Sequence, residues 1–287
     1  MSHTFVGAPI AAALVKSENF IGPERVWKAV NSSQESFLLA FLAARGELAS
    51  FSERELRAWA SREAAELNAI LEREGFAIRV PELGRDDIGV LSILDVLVEW
   101  LRAGDRAEVN CDGISYPAVR LGSFTVVMSP GHPHPIAALP TKSGDRVFMT
   151  IADRPLEGFD LLAAIEALRS APVPASGAFG SLVFPMVDLD QQVELEWIVG
   201  MRTTTEAGRP VVITHGAQQT KLRINVKGAR VESAAVVAMR VARMQPVPTV
   251  DLVIDRPFFC WIERDGVSTP ILAAYIDQED WKDPGDL

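Results

Sequence analysis

Apolar residues recur at three- and four-residue spacing through the first third of the chain, over Ser36 to Leu48 and again over Ser52 to Gly75. In the second stretch Leu56, Trp59, Ala60, Leu67, Ile70 and Leu71 share one stripe, as on an amphipathic helix. Ser52 followed by Glu55 has the capping-box pattern, and Gly75 supplies the stop. Ser92 to Ala103 repeats the scheme with Gly104 behind it. These spacings predict core-facing helices and a helix-rich portion over residues 1–110.

From residue 111 to residue 287 the period changes. Short β-branched runs bounded by turn residues predict strands over Phe124–Met128, Arg146–Ile151, Ser181–Val187 and Val211–Thr214, then Leu222–Val226, Val250–Ile254, Phe258–Glu263 and Pro270–Ile276. Asp160–Arg169 interrupts them as a helix, and Gln192–Val199 is expected as a short one. Helices first and strands later, without βαβ alternation, predict an α+β fold on a large, mainly antiparallel sheet, with residues 1–287 as one domain.

Composition narrows the function. Of 287 residues, 28 are Lys or Arg and 38 are Asp or Glu, a formal charge of −10, and no window interleaves basic and aromatic residues. A nucleic-acid partner is therefore not expected. No apolar run reaches 18 residues, so no membrane span is expected. The run Phe5–Val15 is broken by Pro9 and lacks a preceding basic residue, unlike a signal peptide, which makes the cytoplasm the expected compartment. Cys111 and Cys260 stand apart in apolar surroundings and are expected as buried free thiols.

Candidate chemistry is sparse. His132 and His134, in Pro130-Gly131-His132-Pro133-His134-Pro135, have no third ligand nearby in sequence, so a stiff turn is expected and no metal or cofactor. No nucleophile elbow, zinc-protease helix, phosphate loop or dinucleotide fingerprint occurs, which points away from an enzyme. The most informative stretch follows the strand Leu222–Val226. Between Gly228 and Pro246, the residues Val231, Ser233, Ala235, Val237, Met239 and Val241 alternate as one small or apolar face, and Arg240 and Arg243 lead into a proline-punctuated exit. Such a segment could join a sheet as a central strand, or form an ordinary strand and turn.

Asp255-Arg256-Pro257-Phe258-Phe259, then Trp261-Ile262 and Ile271-Leu272 through Ile276, resembles the C-terminal signature of the serpins. The stretch Phe5 to Leu14 resembles the start of that family's second helix. Ala138 to Gly144 with Val147–Ile151, and Phe184-Pro185-Met186-Val187 with Leu195 and Gly200-Met201, follow in the family's order. The resemblance implies a serpin-like fold reduced in size, with a large sheet, further sheets and a helical bundle. It further implies a reactive-centre loop over about 228–250 and a metastable native state into whose sheet that loop can insert. The serine and histidine that family members carry where the sheet opens are here Ala11 and Gln218.

Two alignments of the hinge are open. One sets Lys227-Gly228 on the family's glycine and the scissile bond after Ala242; the other sets Glu232-Ser233-Ala234-Ala235 on its glutamate-alanine run, with Arg230 and Val231 before it and the bond after Met244. Arg243 lies between the two, and Arg240 is a further candidate. An arginine there would suit a trypsin-like pocket through a charge-assisted pair. The implied partner is a serine protease and the implied state a monomer. The second functional expectation is a non-inhibitory scaffold that binds a ligand or a protein.

Overall fold

The computed structural model describes residues 1–84, 87–96, 98–175, 179–229 and 250–286. The chain opens with strand β1 (His3–Phe5), helix α1 (Gly7–Ile21) and helix α2 (Ser32–Phe37), which runs on as a π-helical turn over Leu38–Leu42 and a 3-10 stretch over Arg45–Ser50. Next come β2 (Leu56–Ser61), α3 (Ala64–Arg73), β3 (Gly89–Leu94), β4 (Val98–Glu99) and the hairpin of β5 (Asp105–Cys111) and β6 (Ile114–Leu121). A meander of β7 (Thr125–Met128), β8 (Ile136–Pro140) and β9 (Arg146–Ile151) leads into α4 (Gly158–Arg169), β10 (Val173–Pro174), β11 (Phe179–Pro185) and β12 (Val187–Glu194). The small hairpin of β13 (Arg202–Thr204) and β14 (Pro210–Val212) precedes β15 (Ala217–Ile224), β16 (Gly228–Ala229), β17 (Val250–Val253), β18 (Phe258–Glu263) and β19 (Leu272–Ile276).

The largest sheet has the order β1-β19-β18-β9-β8-β7-β10, with all its pairs antiparallel. Its central strands are apolar at most positions because both faces are covered, with Arg146 and Glu263 at strand ends and Thr150 buried within β9. Phe258, Cys260 and Ile262 face one core, shared with the sheet β17-β11-β6-β5, while Phe259 and Trp261 face the other, shared with α1 and α4. Alternate residues of a strand point to opposite faces, so a strand buried on both reads as a continuous hydrophobic run. Burial alone pushes the Cys260 thiol up to about 12, and Cys111 is likewise buried and free.

Helix α1 passes beneath the sheets. Its first half, Gly7 to Leu14, is apolar and buried almost all round, which is why it is rich in alanine. A Cβ built on Gly7 would stand 2.3 Å from the Phe41 ring, so close approach fixes glycine there. Pro9 sits in the first turn, where its missing N–H would have had no helical partner.

In the strand-rich half each expected run overlaps a strand, β9 and β18 residue for residue, while β6, β8 and β13 lie outside the expected runs. The portion before residue 110 departs from its expected helical character. Ser52–Gly75 is not one helix: it splits into β2 and α3, although Gly75 does close α3 with a φ of +76°. Ser92–Ala103 forms no helix among the described residues: Ser92–Leu94 closes β3 and Val98–Glu99 is β4. Ser36–Leu48 is helical only in pieces, and Gln192–Val199 is divided between the end of β12 and a 3-10 turn over Glu196–Ile198.

Candidate functional site

Four strands that would make one sheet stand as two pairs. β2 pairs only with β3, from Leu56 opposite Leu94 to Ser61 opposite Gly89, and β12 pairs only with β15, from Val187 opposite Ile224 to Glu194 opposite Ala217. Among the described residues, β3 and β15 each have one edge without a ladder partner, and the two edges face each other across a cavity of about 810 Å³. Unpaired strand edges carry rows of backbone donors and acceptors and are templates for a further strand.

The floor of the gap is α1, contributing Pro9, Ile10, Ala13 and Leu14. Each wall is tied to that floor by one side chain. Ser92 on β3 donates its hydroxyl to the Pro9 carbonyl, and Gln218 on β15 donates its amide to the Val6 carbonyl at 2.8 Å. Leu91 and Ile93 point the opposite way, into a small core with Leu67 and Leu71 of α3. The segment after α3 roofs the gap with Phe76, Ile78 and Val80. Two latches hold this strap to β15: Gln219 Oε1 accepts from the Ala77 N–H at 2.7 Å, and Lys221 Nζ donates to the Gly75 carbonyl. Asn68 holds its far end through Val80, accepting from its N–H at 2.8 Å and donating to its carbonyl at 3.0 Å.

At one end the gap is already entered. β15 turns back through Val226-Lys227, so that Asn225 bridges Gly228, and β16 then pairs antiparallel with β4, Gly228 opposite Glu99 and Ala229 opposite Val98. Trp100, 2% exposed, closes over this turn with its indole N–H on the Asn225 carbonyl at 3.0 Å. Gly228 is dictated by contact: its φ is +142°, and a built Cβ would lie 2.5 Å from the Val98 carbonyl oxygen and 2.7 Å from Glu99 Cα, neither of which can yield. Gly228→Val is expected to destabilise the protein by about 2 kcal/mol or more. Urea unfolding checks this, and a loss below about 0.5 kcal/mol would refute the tight turn.

Of the residues singled out from sequence, Gly228 is thus placed at the mouth of the gap. Arg230, Val231, Glu232, Ser233, Ala234, Ala235, Arg240, Ala242, Arg243 and Met244 lie outside the described residues. Gln218 lines the gap and Ala11 is wholly buried in α1. His132 and His134 stand away from the gap, His132 Nε2 at 2.8 Å from Thr150 Oγ1 and His134 Nε2 at 3.1 Å from Asp153. Sequence reading missed Ser92, Gln219 and the strap. The signal for the β3 wall was present in Gly89-Val90-Leu91-Ser92-Ile93-Leu94, where alternation and β-branched residues compete with helical spacing.

Neither a protein-family model nor a curated protein matches this sequence. Solved structures do share its fold. Serpin48 of the insect Tenebrio molitor aligns with a TM-score of 0.61 at 13% identity, over 96% of this chain and 91% of that one. The thermophilic serpin tengpin in its native state gives 0.60 at 9%, over 96% and 88%. Human thyroxine-binding globulin complexed with thyroxine gives 0.57 at 11%, over 96% and 91%. At these identities the likeness establishes a serpin-like fold, here in a reduced form, and the fold is shared by serpins and by a thyroxine-binding globulin.

Proposed function

We propose that this protein inhibits a trypsin-like serine protease by being cleaved in the 230–249 segment and inserting that segment between β3 and β15. The observation that carries the reading is the gap together with the strand already started in it. Both walls set the same register for a continuation. Extending the pairing of β16 with β4 brings Val231, Ser233, Ala235 and Val237 opposite Val96, Leu94, Ser92 and Val90. Extending the Asn225–Gly228 bridge brings Val231, Ser233 and Ala235 opposite Leu222, Thr220 and Gln218. Ser92 and Gln218 both bond to α1, so in either register the small and apolar face meets the floor.

Arg230 and Glu232 then fall on the outer face. Glu232 comes opposite Lys221, and Arg230 opposite Arg223, both on the roof side of β15. Arg230 would therefore enter without being driven into the apolar floor, where an unpaired charge would cost several kcal/mol. The strap must lift from Gln219 for the strand to pass. A protease acylated at Arg243, with Arg240, Ala242 and Met244 as the neighbouring candidates, would be carried along before it could deacylate.

The role is non-enzymatic and needs no cofactor. Buried free thiols fit a cytoplasmic protein, and no helix among the described residues is long and apolar enough to cross a membrane. The test is a denaturing gel after incubation with a panel of trypsin-like proteases. A covalent adduct of protein and protease is expected; turnover of the loop with no adduct for any protease would overturn inhibition. That second outcome would favour a non-inhibitory binding scaffold, a reading supported by the shared fold of human thyroxine-binding globulin complexed with thyroxine.

A further inference from the structure

The same gap has a charge pattern of its own. In a chain of net charge −10, the lining carries five basic residues, Arg57, Arg73, Arg79, Lys221 and Arg223, against two acidic ones, Glu74 and Asp95. Floor and roof are apolar, while between them the facing edges of β3 and β15 present backbone amides. The Arg57 guanidinium is held by Glu74 at 2.9 and 3.0 Å, Arg73 also reaches Glu74, and Lys221 and Arg223 pair with Asp190 and Asp188 on β12. Arg79, by contrast, is exposed and donates only to the Phe76 and Ile78 carbonyls, leaving its charge without a carboxylate among the described residues. Trp27, 7% exposed, also lines the gap, and its indole N–H has no acceptor among the described residues.

We infer that the unfilled gap binds a long-chain carboxylate, with its tail between α1 and the strap and its head on the strand-edge amides and Arg79. The cavity volume of about 810 Å³ lies within the range of small-molecule sites, roughly 300–1,000 Å³. A carboxylate accepts charge-assisted hydrogen bonds from both guanidinium and backbone N–H groups. Because the ligand and the inserting strand need the same space, the ligand would hold the unfilled state and slow insertion. That regulatory half rests on the functional reading above; the binding half does not.

The experiment titrates the intact full-length protein with cis-parinarate by fluorescence and with palmitate by calorimetry, then repeats both after a single cut in the 230–249 segment. Binding to the intact protein with Kd below about 10 µM is expected, with hexadecanol and the Arg79→Glu variant each at least about tenfold weaker than palmitate on the unaltered protein. Failure of palmitate to bind, or hexadecanol binding as well as palmitate, overturns the proposal, and the alcohol comparison stands even if the variant is unstable. In the cut protein, loss of binding together with a raised melting point supports both readings. Binding retained with an unchanged melting point supports the ligand site and sinks insertion, whereas binding retained with a raised melting point removes the ligand from the gap.

Discussion

A single cut within residues 230–249 is expected to raise the melting midpoint of the protein by about 20 °C, without any new chain or ligand. The cut releases the segment from its tether at β17, and the strand started by Gly228 and Ala229 can then run on between β3 and β15. Each residue that enters makes ladder hydrogen bonds to one wall or the other, worth about 1 kcal/mol net apiece. Burial of Val231 and Val237 adds about 1.5–3 kcal/mol per side chain if complete. Ordering the backbone costs about 1–2 kcal/mol per residue in return. With the ladder bonds and the backbone ordering roughly cancelling, the two valines leave about 3–6 kcal/mol, and at about 2–4 °C per kcal/mol for a chain of this size the shift is roughly 6–24 °C. Calorimetry before and after limited trypsin treatment, with mass spectrometry to locate the cut, makes the measurement. A change below about 5 °C with the cut confirmed there would mean that the gap stays open.

The two halves of the chain differed in how well sequence spoke for structure. β9 and β18 were legible because a strand covered on both faces is a nearly continuous apolar run between its turns, as in Val147-Phe148-Met149 and Phe258 to Ile262. β2 and β3 were misread because their covering differs on each side. Leu91 and Ile93 serve α3 while Val90 and Ser92 face the gap and α1, so a short apolar run is consistent with either period. The capping box shows the same override of a local signal. Ser52 and Glu55 do form their reciprocal bonds, Ser52 N–H to Glu55 Oε2 at 2.9 Å and Glu55 N–H to Ser52 Oγ at 3.3 Å, yet they cap a single turn. At Leu56 the chain leaves it, drawn into the ladder opposite Leu94. The gap itself has no sequence signature, since its existence depends on which of two edges finds a partner.

Removing one guanidinium is expected to have the largest effect of any single substitution on the fold. Arg264, just after β18, places its Nε at 2.8 Å and one Nη at 2.9 Å from the two oxygens of Asp145, and reaches Glu55 Oε1 at 2.6 Å. It also lies over the Phe51 ring at 5.0 Å. Asp145 is 3% exposed and Arg264 14%, so Arg264→Met leaves a buried carboxylate unpaired and should cost about 3–5 kcal/mol at pH 7. Arg264→Met combined with Asp145→Asn and Glu55→Gln should recover part of that loss, because no orphan charge remains.

The pH dependence of that loss follows from Glu55. Its hydrogen bond to Arg264 holds its pKa below the ordinary carboxylate value. A depressed folded pKa contributes stability that is present above the unfolded value and lost as pH falls through the folded one. The gap in stability between the protein and Arg264→Met, measured by urea unfolding, should therefore be full near neutrality and narrow below about pH 4. A loss under about 1 kcal/mol, or one that does not change with pH, would contradict the clamp. Its position explains why such strength is useful. Glu55 immediately precedes β2, and Arg264 follows β18, an inner strand of the largest sheet, so the clamp anchors the β2–β3 wall to the body of the protein. A strand can be driven between β3 and β15 only if one wall stays fixed while the strap over the other lets go.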